Sequence, residues 1–307
     1  MYTSTREMLA HDTVRPLARA PKPKDTVTIR GVSLPLSELV DRAFFQPDRI
    51  EALRQQLQAA QPFPHLVIEG LFHPRLLKLA AEEFDAIPWI DVKGRYESTR
   101  RSPMCPPLGP ASQLYFDTIH SGWFTEWLSA VTQVPYLLPD PKLSGGGAHE
   151  SRTGATFAVH RDFKLHRQLG LRNEMVLITY LNKGWQPEWG GMLELWNAQR
   201  DQCVTKVLPE FGHTLLMPHC AVSFHGHPEP LQPPDDRPRR SLAAYFYTSP
   251  DAGKIRDDQA SSMFLNARRL DRFLRVVQMV TPPLLFTTAW KMCSWPGRLK
   301  NKLLRSE

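Results

Sequence analysis

Cysteine is scarce in this chain: four residues among 307, Cys105, Cys203, Cys220 and Cys293, with no C-x-x-C pair. That spacing excludes a zinc ribbon or a disulfide framework and suits a reducing, cytoplasmic setting. Long apolar runs are also missing. None approaches the roughly 18 residues of a membrane span, and the first 25 residues lack the apolar centre of a signal peptide, so a soluble protein is expected. Excess charge is limited too, since 38 Lys and Arg against 31 Asp and Glu leave +7, spread mainly over the two ends. This reads as a solvated basic surface. No module interleaves basic residues with exposed aromatics, and no nucleic-acid partner is expected.

One more absence decides a motif. His160-Arg161-Asp162-Phe163-Lys164 has the look of a protein-kinase catalytic loop, but Arg167 stands where the magnesium-binding Asn is required. There is no D-F-G, no glycine-rich loop of kinase spacing and no V-A-I-K strand, which excludes that chemistry.

What is present is a change of texture along the chain. Residues 1 to about 30 are basic and dotted with proline, as in a flexible arm. Ile50, Leu53 and Leu57 then share one helical face, and "HLVIEGLF" is a short strand candidate. Pro74 opens a helix with Leu76, Leu77, Ala80, Ala81 and Phe84 on one side. Residues 91 to 113 read as loop, and Phe124, Trp127, Leu128 and Val131 recur at helical spacing as core. From 142 to 249 short β-rich segments alternate with Gly, Pro, Asn and Asp: "ATFAVH", "MVLITYL", "MLELWN", "CVTKVLP", "HTLLMP", "AVSFHG" and "RSLAAYFY". After Pro250 a helical pattern returns, with Leu270, Phe273, Leu274 and Val277 on one face. The basic tail that follows is compatible with contact to an anionic membrane surface, although a helix end packed on the protein is the simpler reading. The expected organisation is an N-terminal arm and helix over 1–60, a central domain over 61–250 and a C-terminal helical extension over 251–307.

In a strand, residues i and i+2 face the same way, so His160 and Asp162 emerge together at the end of "ATFAVH". An imidazole and a carboxylate can grip a divalent ion if a distant histidine joins them, and a 2-His-1-carboxylate face suits non-haem Fe(II). His213, His219, His225 and His227 are the candidates. His225 ends a predicted strand and is preferred; His227 precedes Pro228, which favours an extended turn over a place on a barrel wall, although it could still support the ligands from behind. In "RPRRSLAAYFYT" alternation sets Arg239, Ser241 and Ala243 on one face and Arg240, Leu242 and Ala244 on the other. An inward guanidinium beside a hydroxyl is a fork for a carboxylate. The choice of Arg239 over Arg240 rests on that register alone.

These residues resemble the iron(II) and 2-oxoglutarate dependent dioxygenases. The stretches "GGGAHESRTGATFAVHRDFKLH", "YLNKGWQPEWGGMLELWN", "SFHGHPEPL" and "RRSLAAYFYTSP" are most similar to the prolyl 4-hydroxylase-like branch. The resemblance covers roughly residues 62 to 249. It implies a mainly β fold with flanking helices, a double-stranded β-helix or jelly roll. It also implies Fe(II) on His160, Asp162 and His225, and 2-oxoglutarate on Arg239 and Ser241, with O2 as oxidant and ascorbate as a candidate accessory reductant. Prolyl 4-hydroxylases proper usually carry Lys where this chain has Arg239. Tyr180 and Asn182, two apart in "ITYLN", could line the cosubstrate pocket, with a place in the core as an equal alternative for Tyr180.

The activity implied is hydroxylation of an unactivated C–H bond in an amino-acid-type, peptidyl or small-molecule substrate, with succinate and CO2 as coproducts. Retention of Asp162 separates the chain from related halogenases, which lack that carboxylate. Two other readings stay open: a noncatalytic metal-binding or sensor protein, and a cupin-like enzyme without 2-oxoglutarate. His149 is a candidate for the mouth of the site, while His166 and His219 read as ordinary surface histidines. Gly190 and Gly191 read as a tight turn framed by Trp185, Trp189 and Trp196. Arg95, Tyr96, Arg100 and Arg101 could overhang an anionic or sugar-like substrate, with a solvated loop as the plainer alternative.

Overall fold

The computed structural model describes residues 25–249 together with a two-residue strand at 263–264. The expected C-terminal helix and basic tail lie outside the described residues. So does the basic arm up to residue 24. Within the arm as first drawn, however, residues 26–29 are ordered as strand β1 (Thr26–Ile29), paired antiparallel with β2 (Val32–Pro35). Arg30 and Gly31 both take positive φ at the turn, the backbone that matches the twist of a tight hairpin. Ile29 and Leu34 are buried, which ties the hairpin to the core.

Helix α1 (Pro47–Ala59) starts on its proline and buries Ile50, Leu53 and Leu57, as the spacing requires. Helix α2 (Pro74–Glu82) is capped by the His73 ring, which accepts from the Arg75 N–H. Helix α3 (Pro110–Ile119) begins inside the stretch expected to be loop. Its cap comes from elsewhere: the Glu83 carboxylate accepts from Ala111 and Ser112 N–H, both at 2.8 Å. Gly109 at the N-cap position offers no side chain, so the sequence near the helix carries no start signal. Helix α4 (Gly122–Thr132) buries Phe124, Trp127, Leu128 and Val131. No described helix is long and apolar enough to cross a membrane.

The β-rich region forms the two facing antiparallel sheets of a double-stranded β-helix. Its strands are β3 (Leu66–Glu69), β4 (Ile90–Lys93), β5 (Ser98–Arg101), β6 (Leu138–Pro139), β7 (Gly147–Ser151), β8 (Phe157–Arg161), β9 (Arg172–Tyr180), β10 (Leu193–Trp196), β11 (Cys203–Val207), β12 (His213–Pro218), β13 (Phe224–His227), β14 (Arg239–Thr248) and β15 (Met263–Phe264). The larger sheet runs β3-β12-β9-β14-β7-β5-β4, with β6 beside β14, and the smaller runs β11-β10-β13-β8-β15. The loop expected over 91 to 113 therefore contains most of a hairpin, β4 and β5. The strand expected over "AVSFHG" starts only at Phe224.

The alternation of β9 and β14 separates two cores. Leu177, Leu242, Ala244 and Phe246 face the helices and share a cluster with Leu77, Phe116 and Phe124, while Tyr115 Oη and Thr179 Oγ1 meet at 2.8 Å. Val176 and Tyr180 face the other way, into a cluster with Leu193, Leu195 and Val207 of the smaller sheet. Every second residue of β14, Arg239, Ser241, Ala243 and Tyr245, lines the cavity between the sheets. The same two-residue period that builds the barrel thus loads its interior with polar groups.

Candidate metal and cosubstrate site

His160 is the penultimate residue of β8, and His225 lies directly opposite it on β13. Their rings are 4.5 Å apart between centroids. Asp162 follows the end of β8, with Oδ1 3.4 Å from His160 Nε2 and Oδ2 3.6 Å from His225 Nε2. One potential ligand atom from each of His160, Asp162 and His225 lies within 4.8 Å of the other two, and all three residues are buried. Each imidazole is oriented by its own strand. His160 Nδ1 donates to Ala158 O at 2.9 Å, and His225 Nδ1 donates to Ser223 O at 3.0 Å. A carbonyl can only accept, so both Nδ1 atoms carry the proton and both Nε2 lone pairs are left for a metal.

Burial alone would raise the Asp162 carboxyl, but the imidazoles of His225, His160 and His219 outweigh it and hold the group well below the usual carboxylate range. Burial pushes His225 down to about 4, with Asp162 opposing. At neutral pH, His225 and Asp162 thus supply a neutral nitrogen and an anionic oxygen. With the His160 Nε2, this donor set fits a divalent ion of the iron class. Arg161 points away, with Nη1 on Ala221 O at 2.8 Å, as strand alternation requires.

Three histidines depart from their expected places. His219, read as a surface residue, has only 9% of its side chain exposed, with Nε2 3.2 Å from Asp162 Oδ2 and its ring against Tyr245. His166, also expected at the surface, is buried; its Nε2 sits 3.1 Å from Asp140 Oδ2, and its Nδ1 accepts from Gln168 and Leu169 N–H. His227 was placed in a turn because a proline follows. It is instead the last residue of β13, 3% exposed, and lines the same cavity as the metal cluster. His213 is remote, facing Leu208 O and Glu69. His149 lines the cavity, and burial lowers its pKa.

The other end of the cavity is formed by Arg239, Ser241 and Tyr180. Arg239 is 7% exposed, donates from Nε to Gly191 O at 2.7 Å and lies over the Tyr180 ring at 5.1 Å. No carboxylate among the described residues pairs with it. Arg240 faces the opposite way, to Glu150 at 2.9 Å and Asp85 at 2.6 Å. Gly191 does more than turn the chain: its φ is +70°, and a Cβ there would come within 3.1 Å of Arg239 Cδ.

Asn182 does not reach the cavity. Its amide donates to Pro209 O and Arg240 O and accepts from Arg240 N–H, so it fastens the strand ends. The sheet pairing of β9 ends at Tyr180, and the alternation that would have aligned Asn182 with it ends there as well. Glu97 and Thr99, hydrogen bonded to each other, and Tyr245 also line the cavity without having been singled out. Arg100, expected to overhang a substrate, is engaged by Asp91 and Glu150 and lies over Trp89.

A jelly roll interior that joins a His-Asp-His cluster to a buried arginine, with no carboxylate on it among the described residues, offers donors for a divalent ion and a cation for an anionic ligand beside them. Residues 146–247, one third of the chain, match the family model described as the 2OG-Fe(II) oxygenase superfamily. Fe(II) and 2-oxoglutarate are the metal and cosubstrate which that description names. Similar solved structures include a Pseudomonas putida prolyl-4-hydroxylase, 20% identical, TM-score 0.46, over 66% of this chain and 100% of that one. A Trichoplax adhaerens prolyl hydroxylase in complex with a hypoxia inducible factor peptide is 12% identical, TM-score 0.48, over 66% and 92%. HygX from Streptomyces hygroscopicus, with nickel, 2-oxoglutarate and hygromycin B bound, is 16% identical, TM-score 0.46, over 72% and 99%. No curated protein matches the chain.

Proposed function

We propose that the protein is a 2-oxoglutarate-dependent hydroxylase in which His160, Asp162 and His225 hold Fe(II) and Arg239, Ser241 and Tyr180 receive the distal carboxylate of the cosubstrate. It oxidises an unactivated C–H bond of an amino-acid-type, peptidyl or small-molecule substrate and releases succinate and CO2. Fe(II), once bound, supplies the activation of O2 for which no side chain has the redox chemistry. The chain's own residues supply the rest. Ala158 and Ser223 carbonyls fix the two imidazoles, and Asp162 would supply the third protein ligand. Arg239, held by Gly191 and backed by Tyr180, offers the rest of its guanidinium to an anion. Burial of the whole group keeps water from competing.

The observation that carries this reading is Arg239. A guanidinium buried without a carboxylate is costly, and it is sustained where an anionic ligand meets it. A cupin-like enzyme without 2-oxoglutarate has no use for it, and a metal sensor would bind without turnover. Anaerobic addition of Fe(II) and then 2-oxoglutarate should produce a visible charge-transfer band, and admission of O2 should yield succinate. His160→Ala and Asp162→Ala should lose both. A band without succinate would favour the sensor, and full turnover in either variant would remove the metal assignment.

A further inference from the structure

His227 has no role in the site as described, yet it is one of the most enclosed polar groups in the cavity. It lies two residues beyond the metal-cluster residue His225 on the same strand and faces the same interior. His160 and His225 each satisfy Nδ1 through the carbonyl two residues back. His227 does not: the pairing of β13 with β8 shifts register between His225 and His227, and His227 Nδ1 is buried with no hydrogen bond to another described residue. A buried imidazole left in this state is costly unless something else meets it.

Its position shows what that partner would be. Glu194 pairs with Gly226, so His227 lies toward the start of β10, where Gly191 holds Arg239. Both Arg239 and His160 are near enough to act on its charge. Phe157 packs edge-on against the His227 ring and, tilted, against His160, which holds the His227 ring beside the cluster. Two under-satisfied donors, His227 and Arg239, thus meet at one end of the cavity. A carboxylate, with two oxygens and about four acceptor sites, satisfies both.

We propose that His227 is a cosubstrate-binding residue, donating a hydrogen bond to the 2-oxoglutarate carboxylate that Arg239 holds. This rests on the assignment of that carboxylate to Arg239 made above. The test is binding rather than turnover, in Mn(II)-loaded protein without O2, by calorimetry. His227→Val should weaken 2-oxoglutarate about tenfold or more. It should leave pyruvate, which lacks the distal carboxylate, and Mn(II) itself bound as in wild type. His227→Gln, which keeps a donor, should recover part of the loss. Unchanged 2-oxoglutarate affinity in His227→Val, or an equal loss for pyruvate or Mn(II), overturns the role of His227 alone. A wild type that binds Mn(II) but no 2-oxoglutarate overturns the underlying reading and this role with it.

Discussion

Replacing Arg239 with Met should move ligand affinity and fold stability in different directions. With 2-oxoglutarate bound, the variant lacks one partner of a buried, hydrogen-bonded charge pair, a change that costs about 2–5 kcal/mol and corresponds to about 30- to 4,000-fold in half-saturation. Without the ligand, the same substitution removes a guanidinium that is 7% exposed and has no carboxylate among the described residues. The Nε bond to Gly191 O is lost, at about 1.5–3 kcal/mol, but so is a desolvation penalty of several kcal/mol, and Met fills much of the same volume. The ligand-free protein should therefore be as stable as wild type or more so. Arg240→Met is the control. It breaks contacts to Glu150 and Asp85 and should destabilise by about 1–3 kcal/mol without touching 2-oxoglutarate. Urea denaturation gives the stabilities, and succinate formation against 2-oxoglutarate concentration gives the half-saturation. An Arg239→Met enzyme saturating within about threefold of wild type would refute the reasoning. The same shift in Arg240→Met would transfer the anchor to the wrong face of β14.

Gly191→Ala should raise the 2-oxoglutarate requirement at near-normal kcat, because its Cβ would press on Arg239 Cδ at 3.1 Å and Leu231 Cγ at 3.2 Å while φ stays at +70°. The strain is about 1–3 kcal/mol, and a kinetic split in the opposite sense would contradict it. Acid should weaken the metal-free fold through His120, which burial pushes from 6.5 to about 4. In that window the unfolded chain binds more protons than the folded one, so stability is complete above pH 6.5 and declines as pH falls toward 4, by on the order of 3 kcal/mol. A His120→Phe protein should show a shallower fall in melting temperature between pH 6.5 and 4; an unchanged slope would remove His120 as a cause.

The metal cluster was legible because its logic is local. His160 and Asp162 are two residues apart at a strand end, and His225 lies on a second strand opposite His160, so period-two geometry presents all three inward. Arg239 and Ser241 were legible for the same reason. His227 was misread through a rule that in fact permits its position: the proline after it forbids helix and favours extended backbone, which a final strand residue already has. Asn182 failed because the alternation was carried past Tyr180, where the chain leaves the sheet pairing.

By itself, then, the sequence determined the polarity of each strand face, and with it the inward set His160, Asp162, His225, Arg239 and Ser241, while the jelly roll was implied by the family resemblance. Tertiary structure alone decided what those faces meet. His219 reaches Asp162 from the end of another strand, Glu83 caps a helix 28 residues downstream, and Glu150 draws Arg240 outward while no carboxylate among the described residues meets Arg239. Alternation fixes the direction of a side chain from its immediate neighbours. Its partner depends on which strands pair and in what register, a property of the whole packed chain.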